Sequence, residues 1–478
     1  MTGDPLWRVE QADRAALIVD AADYFNHARS AMLQAQRRIM LIGWDFDARL
    51  RIGDADAAEP ATIGEFILWL ADRRPDLDIY LLRWDVGAFK SVFRGITPIT
   101  LLRWMWHKRI HVRLDGAHPT GASHHQKIVV IDDCLAFCGG IDMTVGRWDT
   151  RTHRDDDPRR VGPGAKPYDP WHDATMALAG PIAAALGELA RDRWVRSGGR
   201  ELGPVRTTGP CWPEELDPQF EQIPVGIART SPSYRDFGEV IEIEALYLAL
   251  IARARRFIYA ETQYFASRRI AEAMARRLAE IDGPEIVIIN PEQADGWLEQ
   301  TAMDNARARL FEAVRRVDTQ GRFRIFHPFT AAGTPIYVHA KLMVVDDLVL
   351  RCGSSNMNNR SLRFDTECDV IIDAEAAGEV VRERIAAIRT DLMAEHLGVD
   401  PKEVSARFIE TGSLIETIEG LVGAGKTLRP YQVPDLSAVE AYLADHEVLD
   451  PEEPDEMFEP IGRRRGLFRR LHRPRLPK

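Results

Sequence analysis

One stretch constrains the fold of this chain more than any other, because it occurs twice. The first copy reads His125-Gln126-Lys127-Ile128-Val129-Val130-Ile131-Asp132, then six residues, then Gly139-Gly140-Ile141-Asp142. The second reads His339-Ala340-Lys341-Leu342-Met343-Val344-Val345-Asp346, then six residues, then Gly353-Ser354-Ser355-Asn356. A bare His-x-Lys is a weak signal. Two copies with Asp, Gly and a final Asp or Asn at matching offsets imply a duplicated unit with one half-site in each copy. The Val/Ile/Leu run in each copy predicts a buried strand. Side chains alternate along a strand, so His and Lys, two apart, face the same way. A neutral imidazole can attack phosphorus or pass a proton, and a lysine beside it supplies positive charge for phosphate oxygens. Facing sets across a pseudo-twofold axis would place a nucleophile on one side of a phosphodiester and an acid on the other.

The repeat extends beyond the motifs. Helical spacing of apolar residues predicts a helix over 11–38, followed by a strand over 38–44. A helix over 63–72 and a strand over 77–82 come next. The second half predicts a helix over 242–255, a strand over 256–261, a helix over 269–280 and a strand over 285–289. This order implies an α/β fold of two similar domains, each a mixed sheet covered by helices, with the active site at their interface. The expected division is a first half over 1–200, a linker over 201–224, a second half over 225–425 and a tail over 426–478. The stretch 198–224 holds five prolines and reads as the connection, and 150–169 is polar and reads as a long loop at the site rim. Residues 374–397 predict an amphipathic helix. Trp84, Phe89, Phe93, Leu101, Leu102, Trp104 and Trp106 form an aromatic and apolar cluster. They read either as helix core or as a site mouth that touches acyl chains.

The chain has 478 residues, and 45% of them are apolar, enough for two full cores and a tail. A net charge of −11 disfavours a basic nucleic-acid surface. The five cysteines form no framework of close pairs and read as buried thiols. Cys134 and Cys138 lack a matching His/Cys pair, so no metal is expected there. With no signal architecture at Met1–Glu10 and no apolar window of the ~20 residues a span needs, the chain reads as cytoplasmic, visiting membranes from that side. Residues 445–460 carry eight acidic side chains, and 462–478 carry Arg463, Arg464, Arg465, Arg469, Arg470, Arg473, Arg475 and Lys478 around Leu467, Phe468 and Leu471. That basic end reads either as a self-pairing tail or as a contact for anionic lipid.

Both copies resemble the HKD motif of the phospholipase D superfamily. The flanks are similar to those of the eukaryotic-type enzymes: Gly146-Arg147-Trp148-Asp149, Pro170-Trp171-His172-Asp173, Glu261-Thr262-Gln263-Tyr264-Phe265 (with Thr262 where that group has Asn), Asn356-Met357-Asn358-Asn359-Arg360-Ser361 and Glu395-His396-Leu397-Gly398. The resemblance implies a phosphodiesterase that needs neither metal nor cofactor and works through a phosphohistidine. It implies His125 as nucleophile, His339 as acid, Lys127 and Lys341 on the phosphate oxygens and Asn356 as a further donor. Asp142, its counterpart, cannot donate when ionised, so the site is not symmetric. The resemblance further pairs Asp173 with His125 and Glu367 with His339. Asp132 and Asp346 read as local braces, Asn358 as an organiser of the turn after the second motif, and Gly139, Gly140 and Gly353 as room for a ligand. Ser354 falls at the matching Gly/Ser position. The flanks favour a phospholipid at a membrane surface as substrate, with a cardiolipin-synthase-like transferase, a nuclease and a non-catalytic binding module as alternatives. Cardiolipin-synthase-like enzymes usually carry N-terminal membrane spans, which this sequence lacks. Two intact motifs in one chain imply that a monomer completes the site.

Overall fold

The computed structural model of the protein describes residues 4–53, 59–85, 98–206, 209, 211–293 and 297–433. The first half contributes β1 (Arg8–Val19), β2 (Arg38–Gly43), β3 (Asp78–Trp84), β4 (Ile110–Asp115), β5 (Ile128–Ile131), β6 (Leu135–Gly139), β7 (Trp171–His172) and β8 (Ala174–Ala179). The second contributes β9 (Phe220–Ser231), β10 (Val240–Ile241), β11 (Phe257–Glu261), β12 (Glu285–Ile289), β13 (Phe323–Phe329), β14 (Tyr337–Val338), β15 (Leu342–Val345), β16 (Val349–Gly353), β17 (Glu367–Asp373) and β18 (Thr427–Pro430). Outward from β1 the order is β8, β6, β5, β2, β3, β4. Outward from β9 it is β17, β16, β15, β11, β12, β13, β18. The orders correspond strand for strand, with β18 added at the second edge. In both halves the three strands ending at β4 or β13 run parallel and the inner ones antiparallel.

β1 and β9 pair along Arg8–Ala15 and join the halves into one sheet. Alternation along the strands then builds the cores. Met40, Ile42, Ile128 and Val130 of the first half share one core with Phe257, Tyr259, Leu342 and Val344 of the second. Their neighbours Leu41, Val129 and Ile131 face a first-half core under the helices Ala21–Gln34 and Ile63–Arg73. Ile258, Met343 and Val345 face a second-half core under Glu242–Arg253 and Arg268–Leu278. Each such aliphatic side chain, fully buried, contributes roughly 1.5–3 kcal/mol. The shared core is therefore the main apolar attachment between the two half-sites.

Three elements differ from the sequence expectation. The helix expected over 11–38 is a strand to Val19 and a helix only from Ala21. Ala15-Ala16-Leu17-Ile18-Val19 is a continuous apolar run paired with β8, with Ala15, Leu17 and Val19 in the shared core and Ala16 and Ile18 in the first-half core, so it is buried on both faces, and over so short a run periodicity cannot separate the two states. Among the described residues of the connection, none up to Gln219 is in helix or strand after Arg196, and Phe220–Pro224 already belong to β9. The helix over 374–397 is interrupted at Gly378, where φ is 100°, giving Ala374–Ala377 and Glu379–Leu397.

The aromatic cluster divides between core and cavity wall. Trp104 is core and packs edge-on against Phe46, whereas Trp84 stacks on Trp44 at the site wall. Met105 and Trp106 are 67% and 81% exposed. Phe89 and Phe93, the Leu101 side chain and the tail 434–478 lie outside the described residues. None of the five cysteines is in a disulfide, and no described helix is long and apolar enough to cross a membrane.

Asp132 and Asp346 occupy equivalent posts. The Asp132 carboxylate accepts the backbone N–H groups of Gln36, Arg37 and Arg38 at 2.6, 2.8 and 2.6 Å. Asp346 accepts those of Arg255, Arg256 and Phe257 at 2.7, 2.8 and 2.8 Å. Each clamps the entry of β2 or β11 onto the motif strand. Removing one strands three backbone donors, of which only Phe257 N–H is fully buried at the second post, so Asp346→Ala should cost about 2 kcal/mol in urea unfolding, with kcat of the folded fraction nearly unchanged.

Candidate active site

Each motif histidine lies just before its strand, beyond the last ladder bond, where its ring is free to turn into a gap between the halves. His125 and His339 both line one cavity of about 420 Å³, together with Trp44, Trp84, Arg147, Trp171, Gln263 and Asn356. The ring of His125 makes bonds of 2.9 and 3.0 Å from Nδ1 to the two Glu367 oxygens. His339 Nδ1 bonds Asp173 Oδ2 at 2.7 Å. This exchanges the pairing expected from the sequence. Asp173 orients His339, and Glu367 orients His125, so each carboxylate comes from the half opposite its histidine.

The exchange follows from the strand ends. β7 pairs with β14 in a small separate sheet, placing Val338 beside His172, and His339 N–H donates to the His172 carbonyl at 2.7 Å. On the other side His124 bridges Thr366, and His125 N–H donates to the Thr366 carbonyl at 3.0 Å. In both places the residue before the histidine meets the residue before the carboxylate across the axis. Carboxylate–Nδ1 bonding fixes the tautomer and leaves Nε2 facing the cavity.

Support for the two carboxylates differs. Glu367 is fully buried and receives the hydroxyls of Ser354 at 2.5 Å and Ser361 at 2.7 Å. Ser361 sits on a single π-helical turn, Arg360–Phe364, which carries it beneath the carboxylate. Asn358 lines the cavity and its amide oxygen accepts the Ser361 N–H at 3.2 Å. Asp173 accepts only the Ala174 N–H at 2.8 Å on its other oxygen. The glycines make room for neighbouring protein groups: Asp173 at Gly140, Asp369 at Gly353 and the adjacent strand at Gly139. A Cβ on Gly140 would meet Asp173 Oδ1 at 2.1 Å, and one on Gly353 would meet Asp369 Oδ1 at 1.9 Å. Gly139 likewise clears the backbone of Thr175.

The lysines differ more. Lys127 Nζ lies 3.2 Å from Asp142 Oδ2, and Asp142 Oδ1 accepts the N–H groups of Trp44 at 3.0 Å and Asp45 at 3.2 Å. Lys341 Nζ meets the neutral Gln263 Oε1 at 3.5 Å, which also accepts from Asn356 Nδ2 at 3.4 Å. Burial, with Lys127 nearby, lowers Lys341 to about 7. Burial and the two lysines hold both imidazoles well below their ordinary value. Burial raises Asp173 to about 7 and Glu367 well above its ordinary value, so each dyad favours a second proton on its carboxylate while both imidazoles stay neutral.

Several residues of the site were quoted in motifs without a role. Arg147 lies over the Trp171 ring at 3.9 Å and lines the cavity, placing a guanidinium in its wall. Trp171 packs against His339 with ring centres 5.1 Å apart, and Trp44 against His125 at 6.4 Å. Gln263 holds the amide end of the Lys341 pair. The remaining motif polar groups converge behind Asp173: Glu261 accepts from His172 at 2.7 Å, His396 at 3.1 Å and Tyr259 at 2.6 Å. The polar loop over 150–169 is not a solvated rim throughout. His153 and Arg160 are buried, and Asp155 accepts the Ala332 N–H of the second half at 3.1 Å.

With two matched half-sites on a duplicated sheet, the chain belongs to the phospholipase D superfamily. The family described as "Phospholipase D" matches residues 108–208, and the one described as "Cardiolipin synthase, PLD-like domain" matches 247–389. Phospholipase D alpha 4 of Arabidopsis thaliana is 22% identical over 86% of this chain and 68% of that protein. Phospholipase D A of Dictyostelium discoideum is 24% identical over 81% of this chain, which spans only 36% of that longer relative. In fold the chain is similar to the phosphatidylserine synthase of Haemophilus influenzae Rd KW20, with TM-score 0.56 and 12% identity over 86% of this chain and 96% of that one.

The depressed lysine gives a pH signature. At pH 8 the Lys341 amine is largely neutral in the free site, and a bound anion raises its pKa. Orthovanadate or phosphate binding should therefore draw roughly one proton from the buffer at pH 8 and weaken as pH rises above 7. Calorimetry in buffers of different ionisation heat measures this, and Lys341→Met should abolish the uptake. In the ligand-free protein the same group makes stability rise with pH between about 7 and its unfolded value near 10.5, where unfolding takes up a proton.

Proposed function

We propose that the protein is a phospholipase D-type phosphodiesterase, hydrolysing or transferring the phosphatidyl group of glycerophospholipids through a phosphohistidine. One observation carries the reading: two imidazoles on the walls of one cavity, each with Nδ1 tied to a carboxylate of the opposite half and Nε2 left for chemistry. His125 Nε2 attacks phosphorus, forming the N–P bond as the P–O bond to the head group breaks. The His339–Asp173 dyad gives its second proton to the departing alkoxide. Water or a second alcohol then loses its proton to His339 and displaces His125 from phosphorus. This splits one displacement into two. Lys127, Lys341 and Arg147 balance charge on the non-bridging oxygens, and Asn356 donates from Nδ2.

A lipid substrate is supported by the similarity to phospholipase D proteins and by exposed Met105 and Trp106, side chains suited to a water–lipid boundary. The proposed location is the cytoplasmic side, peripheral on a membrane, with no partner chain needed for a complete site. In this reading the basic end over 462–478 docks on anionic lipid. Its deletion should weaken binding to phosphatidylglycerol vesicles, and unchanged binding would remove that role.

Head-group release from mixed vesicles tests the reading. Choline or ethanolamine should appear, with phosphatidyl-alcohol formed when a primary alcohol is added, and neither from His125→Ala. Cleavage of DNA or a generic phosphodiester alone would keep the mechanism and make the chain a nuclease. The exchanged pairing adds a finer test. Glu367→Gln should slow formation of the hydroxylamine-sensitive phosphoryl label by about 10³-fold or more, the scale for losing a histidine's orienting carboxylate. Asp173→Asn should instead let label form from an activated substrate whose leaving group needs no proton, and then persist. The opposite assignment would exchange nucleophile and acid.

A further inference from the structure

Behind Asp173 lies a second cluster that the reaction does not use. Asp20, His153, His172 and Glu395 each direct one donor atom to a common point, all four atoms within 4.8 Å of one another, and all four residues are buried. Glu395 Oε1 lies 3.0 Å from His172 Nδ1 and 3.1 Å from His153 Nε2. Asp20 Oδ2 lies 3.4 Å from His153 Nε2, and Asp20 Oδ1 lies 3.3 Å from His172 Nδ1. A tetrahedron of Zn–N and Zn–O bonds of ~2.0–2.1 Å has edges of ~3.3–3.4 Å, close to these separations. We infer that this cluster is a structural zinc site, with one donor each from Asp20, His153, His172 and Glu395.

Two further observations point to a metal. Asp20 is 1% exposed, and its Oδ2 accepts no hydrogen bond. If the imidazoles carried protons at the centre instead, both would share Glu395 Oε1 and leave Asp20 Oδ2 unsatisfied. The outer ring nitrogens are also held as metal-bound imidazoles require. His172 Nε2 donates to Glu261 at 2.7 Å, and His153 Nδ1 donates to Asp149 at 3.0 Å. Arg151 binds the other Glu395 oxygen, and Asp20 Oδ1 accepts the Asp173 N–H at 3.1 Å. In charge, one Zn²⁺ replaces two imidazolium protons. Four protein donors fill the tetrahedron and leave no position for substrate, so the ion braces the fold. It reaches the site only through Asp173, whose carbonyl also accepts the Asp20 N–H at 2.7 Å.

Elemental analysis of the full chain, dialysed without chelator, should find about one zinc per chain. A strong chelator should lower Tm by several degrees, and Zn²⁺ should restore it. Co²⁺ in its place should give the visible absorption of a tetrahedral site. His153→Gln should lose the metal, with Asp20→Asn as second variant if the first does not fold, whereas His125→Asn should keep the full complement. A zinc-free protein whose Tm ignores added Zn²⁺ would mean that the cluster holds two protons, and the inference would fail. Full zinc in folded His153→Gln would place the ion elsewhere and overturn it equally. Neither outcome depends on the lipid assay.

Discussion

The two imidazole–carboxylate bonds that cross between halves are the constraint on which the structure turns. His125 reaches Glu367 and His339 reaches Asp173, so neither half holds an oriented histidine by itself. Hydrogen bonds of this kind weaken steeply with a few tenths of an ångström or with misalignment. The scaffold must therefore fix the separation of two half-sheets, not only the shape of each. Pairing of β1 with β9 and the core shared by β5, β2, β15 and β11 do this with backbone bonds and apolar packing. Asp132 and Asp346 then tie each motif strand to the strand beside it, so that a shift in one half is carried to its histidine.

On this symmetric frame a few residues break the symmetry. Asp142 and Asn356 occupy equivalent positions, yet one is an anion beside Lys127 and the other an amide near Lys341. At a buried distance of about 4 Å, even an effective dielectric near 20 gives a charge pair several kcal/mol. Replacing that anion with an amide leaves Lys341 without its main compensation, and burial then brings it down to about 7. A cation that gains its proton as an anionic phosphate arrives stabilises the bound form more than the empty site. The histidines divide similarly. The Glu367 carboxylate is held by two serine hydroxyls, whereas Asp173 accepts one backbone N–H besides its histidine, and burial raises both carboxyls.

The duplicated motif made the half-sites, the strands after them and the α/β class legible, because each rests on local alternation and composition. What was not legible was contact across the axis. Asp173 follows His125 in the same half, and Glu367 follows His339, so sequence proximity favours the pairing the fold rejects. Symmetry returns each strand end to the opposite histidine, and only the β7–β14 and His124–Thr366 junctions show it. β1 was hidden for a different reason: its alanine-rich run carries no period that distinguishes a doubly buried strand from a helix. The roles of Glu261, His172, Glu395 and His396 were equally hidden, since their motifs stand far apart in sequence and meet only beneath Asp173.

The unequal bracing of the two dyads has a geometric cause. An aspartate is one methylene shorter than a glutamate, so Asp173 reaches His339 only if its backbone comes closer than that of Glu367 does to His125. Gly140 gives the room: its missing Cβ is where Asp173 Oδ1 lies. The approach is made by β7, which forms a true two-strand pair with β14, whereas the opposite side has only an isolated bridge. Such a displaced strand needs anchoring from behind, and His172 provides it by lying between Glu261 and Glu395 of two second-half elements, 2.7 and 3.0 Å away. Burying so many charges is costly unless each is matched. Here the matching holds the shorter carboxylate in place against the histidine it meets across the axis.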